Sequence, residues 1–424
     1  MKMAIMPRIG RIARTMIIQW LVFTNALADD NSARVLPQGV SLVDATFYSY
    51  FPIDKRYGPG GDTEDLAADL NAHLDSRVFP ALSALDALVG GQATLGQSVV
   101  DANLLYRQSD VYLAYGLTDQ LALVMKIPYF HIRNEIQAGL DASHANVGKN
   151  PLFGTPADAY RSPLIPIAAG GTPLSDEDIQ DLLGPGLDVN QDGVPDIPGY
   201  GYERFKTFSG SGIGDIELYG KYQFYDQDPW RLAVASGLRL PTGAVRDIDN
   251  LAAVDFGEGQ TDVMFRMHAD YLGMENLPLN VTVRYDLQLP DRLTLRIPDA
   301  VDQPITRNIE AVERDLGDLF GFDVTGLYQF TPEWSVALRY SFTRKFQDAI
   351  DGHLGFTYSA LEQESESENQ RVALTVGYST LQLYKDKEKT AKIPFYANLS
   401  YRQRFAGENT VVSRYVALSL GVLF

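Results

Sequence analysis

The densest group of ligand-type side chains in the chain is Asp188-Val189-Asn190-Gln191-Asp192-Gly193-Val194-Pro195-Asp196. The D-x-N-x-D-G spacing puts side-chain oxygens at loop positions 1, 3 and 5 (Asp188, Asn190, Asp192), with glycine for the sharp turn. Val194 stands at position 7, where such loops use a main-chain carbonyl, and Asp196 at position 9. Gly199 replaces the bidentate Glu of position 12, so a bound calcium ion would borrow a ligand from elsewhere and stiffen the loop rather than catalyse. The same residues also make an ordinary solvated Asp/Asn/Gly turn. Hydrolytic chemistry is poorly provided for. There are five histidines and no cysteine, and His268, beside Asp270, has no G-x-S-x-G turn to accompany it. A barrel lipase is therefore a minor alternative, and the expectation is a protein that is not an enzyme.

A third group is charged: Lys126, Lys221, Arg231, Arg239, Arg266, Arg284, Arg339, Arg371, Arg402 and Arg404, with Asp110, Asp215, Glu217, Asp262, Asp270, Asp286 and Asp323. Each lies on the polar side of a segment whose alternate residues are apolar, so all face one way. Inside a closed sheet they would line a wet channel or interlock as ion pairs filling a narrow barrel.

The elements that must position them are strands. Leu279–Leu289 has the cleanest alternation, with Leu279, Val281, Val283, Tyr285, Leu287 and Leu289 against Asn280, Thr282, Arg284, Asp286 and Gln288. The last stretch, Thr410–Phe424, sets Val416, Leu418, Leu420 and Val422 against small or polar residues, with Tyr415 and Leu423 as exceptions. A strand of this kind closing on Phe424 resembles the assembly signal of bacterial outer-membrane barrels. Segments near 42–51, 110–117, 121–129, 214–225, 230–240, 261–271, 320–330, 334–342, 371–378 and 393–405 bring the count to about 12, of a length suited to tilted membrane strands. Residues 93–107 could lengthen the second. The connections alternate between short (118–120, 226–229, 273–278, 331–333 and the moderate 379–392) and long (52–109, 130–213, 241–260, 290–319, 343–370), as periplasmic turns and outer loops do, and only the brief last outer connection, 406–408, breaks the pattern. Trp230, Tyr271 and Trp334 flank the short turns at the level of Phe424, like an interfacial girdle. The fold expected is all-β: an antiparallel transmembrane β-barrel with long outer loops and one helical insertion.

Lys2, Arg8, Arg11 and Arg14 precede a short apolar run, Met16–Thr24, and an Ala26-Leu27-Ala28 cleavage site. Residues 1–28 thus read as a signal peptide, leaving a barrel over 29–424. Losing four cations and no anion takes the net charge from −18 to −22, which argues against a nucleic-acid partner. No later apolar run reaches roughly 20 residues, so a membrane protein of this sequence must be a closed barrel. Its partners are then outer-membrane lipid, the barrel-assembly machinery and a small-molecule solute.

The insertion lies at about 62–90, in the first outer loop. Leu66, Leu70, Leu74 and Val78 recur at four-residue steps, Asp62 or Thr63 can cap, Pro80 can kink and Gly90-Gly91 can stop an amphipathic helix. It would fold into the barrel mouth as a plug, or pack on the rim or a neighbouring loop. The calcium-like motif belongs to the longest loop, about 136–212.

Tyr115-Gly116-Leu117-Thr118-Asp119-Gln120 leading into Lys126-Ile127-Pro128-Tyr129 carries a family likeness. So do Gly212-Ile213-Gly214-Asp215 opening a strand and Leu238-Arg239-Leu240-Pro241-Thr242-Gly243 closing the next. Together they resemble the meta-pathway of phenol degradation family of outer-membrane transporters. The resemblance covers most of the barrel but neither the helical segment nor the Asp188–Asp196 loop. It implies a Gram-negative outer-membrane protein passing aromatic or other hydrophobic compounds. The lumen expected here is mostly charged rather than an apolar pocket, and outer-loop aromatics (Phe130, Tyr160, Tyr200, Tyr202 and Phe205) could make such a pocket above the membrane, so passive transport is the expectation with the solute open. A structural or adhesive barrel with calcium-stiffened surface loops is the alternative.

Overall fold

The computed structural model describes residues 31–300, 305–381, 384 and 393–424. The expected signal peptide, 1–28, lies outside them, as does part of the connection after Ser379.

Twelve strands form one antiparallel ring: β1 (Ser41–Tyr50), β2 (Gln97–Gly116), β3 (Leu121–Asp141), β4 (Ile216–Gln227), β5 (Trp230–Leu240) and β6 (Asp262–Tyr271), then β7 (Leu279–Gln288), β8 (Leu319–Gln329), β9 (Trp334–Lys345), β10 (Ser367–Ser379), β11 (Phe395–Glu408) and β12 (Arg414–Leu423). Each pairs with the next, and β12 returns to β1 with Leu423 opposite Leu42 and Tyr415 opposite Tyr50. Closure leaves no unpaired edge, the condition for crossing lipid with strands. Phe208–Ile213 adds a short piece that pairs with the far half of β3 only and so does not enlarge the ring.

Burial is inverted relative to a water-soluble sheet. On β7, Val281, Val283, Tyr285 and Leu287 are exposed, whereas Thr282, Asp286 and Gln288 are buried; on β12, Leu418 and Leu420 are exposed and Tyr415 and Ala417 buried. Exposed Phe47, Leu123, Leu218, Val234, Phe265, Leu338, Leu374 and Leu399 continue this apolar surface around the ring. At about 25 cal/mol per Å² such a belt would be strongly unfavourable in water. Hydrocarbon removes that cost, so the pleat that turns Leu and Val outward also turns Asp, Arg and Lys inward. No helix among the described residues is long and apolar enough to cross a membrane. Crossed aromatic pairs mark the rim beside the short turns: Trp230 with Tyr271 (4.8 Å) and Trp334 with Tyr378 (4.9 Å).

The closing seam is tightly fitted. A Cβ at Gly421 would stand 2.1 Å from Cζ of Tyr396, so only glycine lets that ring lie across the seam. The Tyr396 hydroxyl then donates to Asp44 at 2.9 Å. Leu423, the exception in the terminal alternation, packs inward with Val35, Leu36, Val40 and Tyr396.

The structure corrects the end of β3, the bounds of the long loop and the helical insertion. β2 begins at Gln97, inside the 93–107 stretch that could lengthen it, and pairs without interruption with β3, which runs to Asp141 rather than ending near Tyr129. The long loop therefore occupies 142–207 instead of 136–212. A membrane strand needs about 9–11 residues, so this hairpin continues past the bilayer by roughly ten residues a side, about 30 Å at 3.3 Å per residue. Beyond the lipid no face needs to be greasy, so the alternation fades while backbone pairing continues.

The third correction concerns the helical insertion. Residues 62–90 form a short strand (Thr63–Asp65), two 3-10 turns (Ala68–Leu70, Pro80–Leu85) and a single α-turn (Asp86–Val89) rather than an amphipathic helix. Asn71 grips Ala67 O and Val100 O, Leu74 N donates to Gly96 O, and Ser98 N donates to Ala72 O. These bonds take the main-chain groups a helix would need, and Pro80 starts a new turn instead. Gly90 does end the segment, in the left-handed conformation. Leu74, Val78, Phe79, Leu82 and Leu85 pack on Leu164, Leu174, Leu182, Leu183 and Leu187 of the long loop. The insertion is therefore half of an outer cap with its own core.

Candidate functional site

The interior is built by residues that alternate with the lipid-facing set. Even-numbered positions of β1 and β2 bring Asp44, Thr46, Tyr48, Tyr50, Tyr106, Gln108, Asp110 and Tyr112 to the inside; β4–β7 bring Glu217, Lys221, Arg239, Asp262, Arg266, His268, Asp270, Thr282, Arg284 and Asp286. All of these except Tyr106, Asp262, His268 and Asp270 line a cavity of about 430 Å³, to which β8–β12 add Asp323, Arg339, Ser341, Arg371, Arg402, Tyr415 and Ser419.

The two walls differ in charge. On one side the ions interlock. Lys126 lies 3.2 Å from Glu217 and 3.8 Å from Asp110, and Arg266 is 3.2 Å from Glu217. Arg239 reaches Asp262 (2.5 Å), Asp286 (3.2 Å) and Glu217 (3.7 Å), and Arg284 faces Asp323 at 3.6 Å. On the other side stand Arg339, Arg371 and Arg402, on neighbouring strands. The strand register makes a row of Arg339, Ala373, Arg402, Tyr415 and Tyr50, with Arg371 opposite Arg404 one step further out. Arg402 lies 6.0 and 5.9 Å from the ring centres of Tyr48 and Tyr415. Among the described residues no carboxylate is within ion-pair distance of Arg371, Arg402 or Arg404.

At the short-turn end of the barrel the segment 31–40, ahead of β1, folds into the lumen. The Asn31 carbonyl accepts from Thr282 Oγ1 and Asn280 Nδ2, both at 2.8 Å, and lies 2.9 Å from His268 Nδ1. Asp270 accepts from Ser32 Oγ and Ala33 N at 3.0 Å each, and Lys221 donates to the Ser32 carbonyl. Val35 and Leu36 pack on Tyr396, Ala122 and Leu423. His268 and Asp270, the pair considered for hydrolysis, thus hold a stretch of main chain.

The remaining candidates lie elsewhere. Asp215 accepts from Gly243 N and Glu258 N, both at 2.9 Å, and ties the loop after β5 to the outer rim. Arg231 pairs with Asp226 at the opposite rim, and Arg404 donates to Thr410 and Val411 O. In the outer cap, Asp188 accepts from Gly193 N (2.8 Å), Asp192 from Val194 N (2.9 Å) and Asp196 from Val189 N (2.8 Å), with Gly193 at φ 90°. The spacing thus brings Asp188, Asn190, Asp192 and Asp196 into one turn, while the Val194 side chain is exposed. Among the described residues no three His, Cys, Asp or Glu side chains are grouped to hold a metal. Asp178, nearby, bonds Lys149 at 2.8 Å and closes a capping box with Ser175.

The family model described as "Putative MetA-pathway of phenol degradation" matches residues 167–410, more than half of the chain. The chain belongs to this family. Among solved structures, an outer membrane channel from Pseudomonas putida F1 is 14% identical, with 93% of this chain and 99% of that one aligned at a TM-score of 0.52, a likeness of fold. A Pseudomonas aeruginosa FadL homologue (11% identity, 95% and 93% covered, TM-score 0.34) and a TodX monoaromatic hydrocarbon channel mutant (10%, 94% and 93%, 0.33) are more distant. No curated relative matches the chain. In this family member the matched region spans the outer cap's second half and β4–β11. The segment 31–40, Tyr50, Tyr106 and Phe130 precede it, and Tyr415 follows it.

Sequence reasoning found the charged residues but not the inward segment or the inward tyrosines. Tyr415 was open to detection, because it breaks the terminal alternation on the mild face. Residues 31–40 have no periodicity, and nothing in their composition says they turn inward.

Proposed function

We propose that this protein is a Gram-negative outer-membrane channel for passive passage of small solutes, aromatic compounds among them. The observation that carries this reading is a closed barrel with a lipid-type exterior enclosing a charged cavity of about 430 Å³. Ion pairs alone could rigidify a narrow barrel, but Arg371 and Arg402 line the cavity with no carboxylate partner among the described residues, and a conduit uses such wall charges to select. The segment 31–40 stands across the periplasmic side and is held by hydrogen bonds and one small apolar contact, so passage requires it to move. The description of the family favours aromatic solutes, and the rings on β1, β2 and β12 are consistent with it. Assembly from the periplasm, with the strand ending at Phe424 read by the barrel-assembly machinery, is part of the same proposal. So is calcium in the Asp188–Asp196 turn, whose ligands would be the carboxylates of Asp188, Asp192 and Asp196, the Asn190 amide oxygen and the Val194 carbonyl.

The test is conductance of the purified full chain in planar bilayers. Step currents that at least one class of small aromatic solute reduces are expected. An electrically silent membrane, even after the segment 31–37 is removed from a protein that still folds, would sink the channel reading.

A further inference from the structure

The lumen's charges do not balance locally. Asp110, Glu217, Asp262, Asp286 and Asp323 are all engaged by Lys126, Arg239, Arg266 and Arg284. Arg371 and Arg404 are direct cross-strand partners, and Arg402 sits beside them on β11. Like charges opposite one another on adjacent strands are unfavourable. Buried cations without an anion are more so. Arg404 turns to Thr410 and Val411 O, but Arg371 and Arg402 line the cavity.

Tyrosine rings adjoin these guanidinium groups. Tyr415 stacks on Tyr50 at 4.3 Å, and Tyr50 meets Tyr106 edge-on at 4.7 Å. Tyr106 is 5.7 Å from Phe130, which stacks over Phe256 of the loop after β5 at 6.5 Å. Five rings thus run from the arginine row to the outer rim.

We propose that Arg371 and Arg402, with Tyr50, Tyr106 and Tyr415, form a binding site for a planar aromatic carboxylate on its way through the lumen. The proposal rests on the channel reading and narrows its solute to an organic anion. A carboxylate supplies the charge this wall lacks, in the fork geometry guanidinium groups prefer. A flat ring finds successive π-faces along the ladder. A neutral arene would leave Arg371 with no anion and Arg402 with only its bond to Tyr415, and a cation would be repelled by them. The cavity, at about 430 Å³, is of a size that takes a one-ring solute.

The experiment is calorimetric titration of the full chain in detergent with benzoate, cyclohexanecarboxylate, benzyl alcohol and benzylamine, with folding checked by mobility on unheated gels. Saturable benzoate binding is expected, at least fivefold weaker for cyclohexanecarboxylate and undetectable for the alcohol and the amine. Arg371→Gln should weaken benzoate at least tenfold, Arg371→Lys less, and Tyr50→Leu should remove the preference for the flat ring. Equal binding of benzoate and benzyl alcohol, or unchanged benzoate binding in folded Arg371→Gln, overturns the site. Should Arg371→Gln not fold, the four ligands on the unaltered chain decide alone. Benzoate binding without conductance would leave this site standing and remove the channel; conductance without discrimination would do the reverse.

Discussion

Asp270→Asn tests whether the N-terminal segment is the barrier. The carboxylate accepts from Ser32 Oγ and Ala33 N, both at 3.0 Å, and from Asn280 at 2.7 Å. Asparagine keeps the shape and one acceptor oxygen but loses the charge. Hydrogen bonds to charged groups contribute about 1.5–3 kcal/mol and neutral ones about 0.5–1.5, so each of the two bonds to the segment loses about 1 kcal/mol. About 2 kcal/mol corresponds to a roughly 30-fold rise in the displaced population. Two assays read it. In planar bilayers the open probability should rise by about that factor. The chain has no cysteine, so Val35→Cys, which keeps both bonds to Asp270, gives a single buried thiol whose maleimide labelling rate should rise in parallel. Labelling and open probability both within twofold of the parent would refute the account of what holds the segment. Faster labelling with unchanged conductance would mean that the segment moves but does not block.

Three further outcomes follow from the outer cap. Burial opposes the charge of Asp178, but bonds from Lys149 and Ser175 outweigh it and hold its carboxyl below the usual range. A depressed folded pKa stabilises fully above the unfolded value of about 3.9 and is lost as pH falls below it. Proteolysis of the outer loops should therefore accelerate between pH 6 and pH 3, a step that Lys149→Met should flatten; an equal step in that variant would contradict the assignment. Leu182→Ala, in the buried cap core, should cost about 2–5 kcal/mol of cap stability and expose 142–207 to protease while the barrel keeps its folded gel mobility. Loss of both together would make cap and barrel one cooperative unit. Calcium should raise the protease resistance of the same loop, and Asp188→Ala should abolish the increment; resistance indifferent to chelator would leave the turn an ordinary one.

The barrel was legible because lipid imposes a strict rule on every strand. Val281, Val283 and Tyr285 had to face outward, so their neighbours' inward course followed from the pleat. The rule stops at the membrane surface. β2 and β3 continue to Gln97 and Asp141 on backbone pairing alone, and residues 130–141 carry polar groups on both faces, so no period marks them. The four-residue leucine spacing over 66–78 misled for a related reason. Apolar residues meeting a cap core at intervals of four can do so from turns and extended chain, and Asn71 and Pro80 decide which. Individual lumen charges were readable as inward, but their sorting into a paired wall and a cationic wall depends on which strands become neighbours around the ring. The plug was not readable, because its bonds run from main-chain groups of residues 31–33 to side chains more than two hundred positions away.

The seam between β1 and β12 also bears on how the protein comes into being. Leu42 meets Leu423 only after nearly the whole chain has been made. The entropy of joining such distant partners grows only as the logarithm of the intervening length, but the step cannot begin early. Until it happens, both border strands present open amide rows that hydrocarbon cannot satisfy. A chain that stops short of β12 therefore makes no smaller barrel, only a sheet with two open edges. Quality control is written into the topology, because insertion and completeness are the same event.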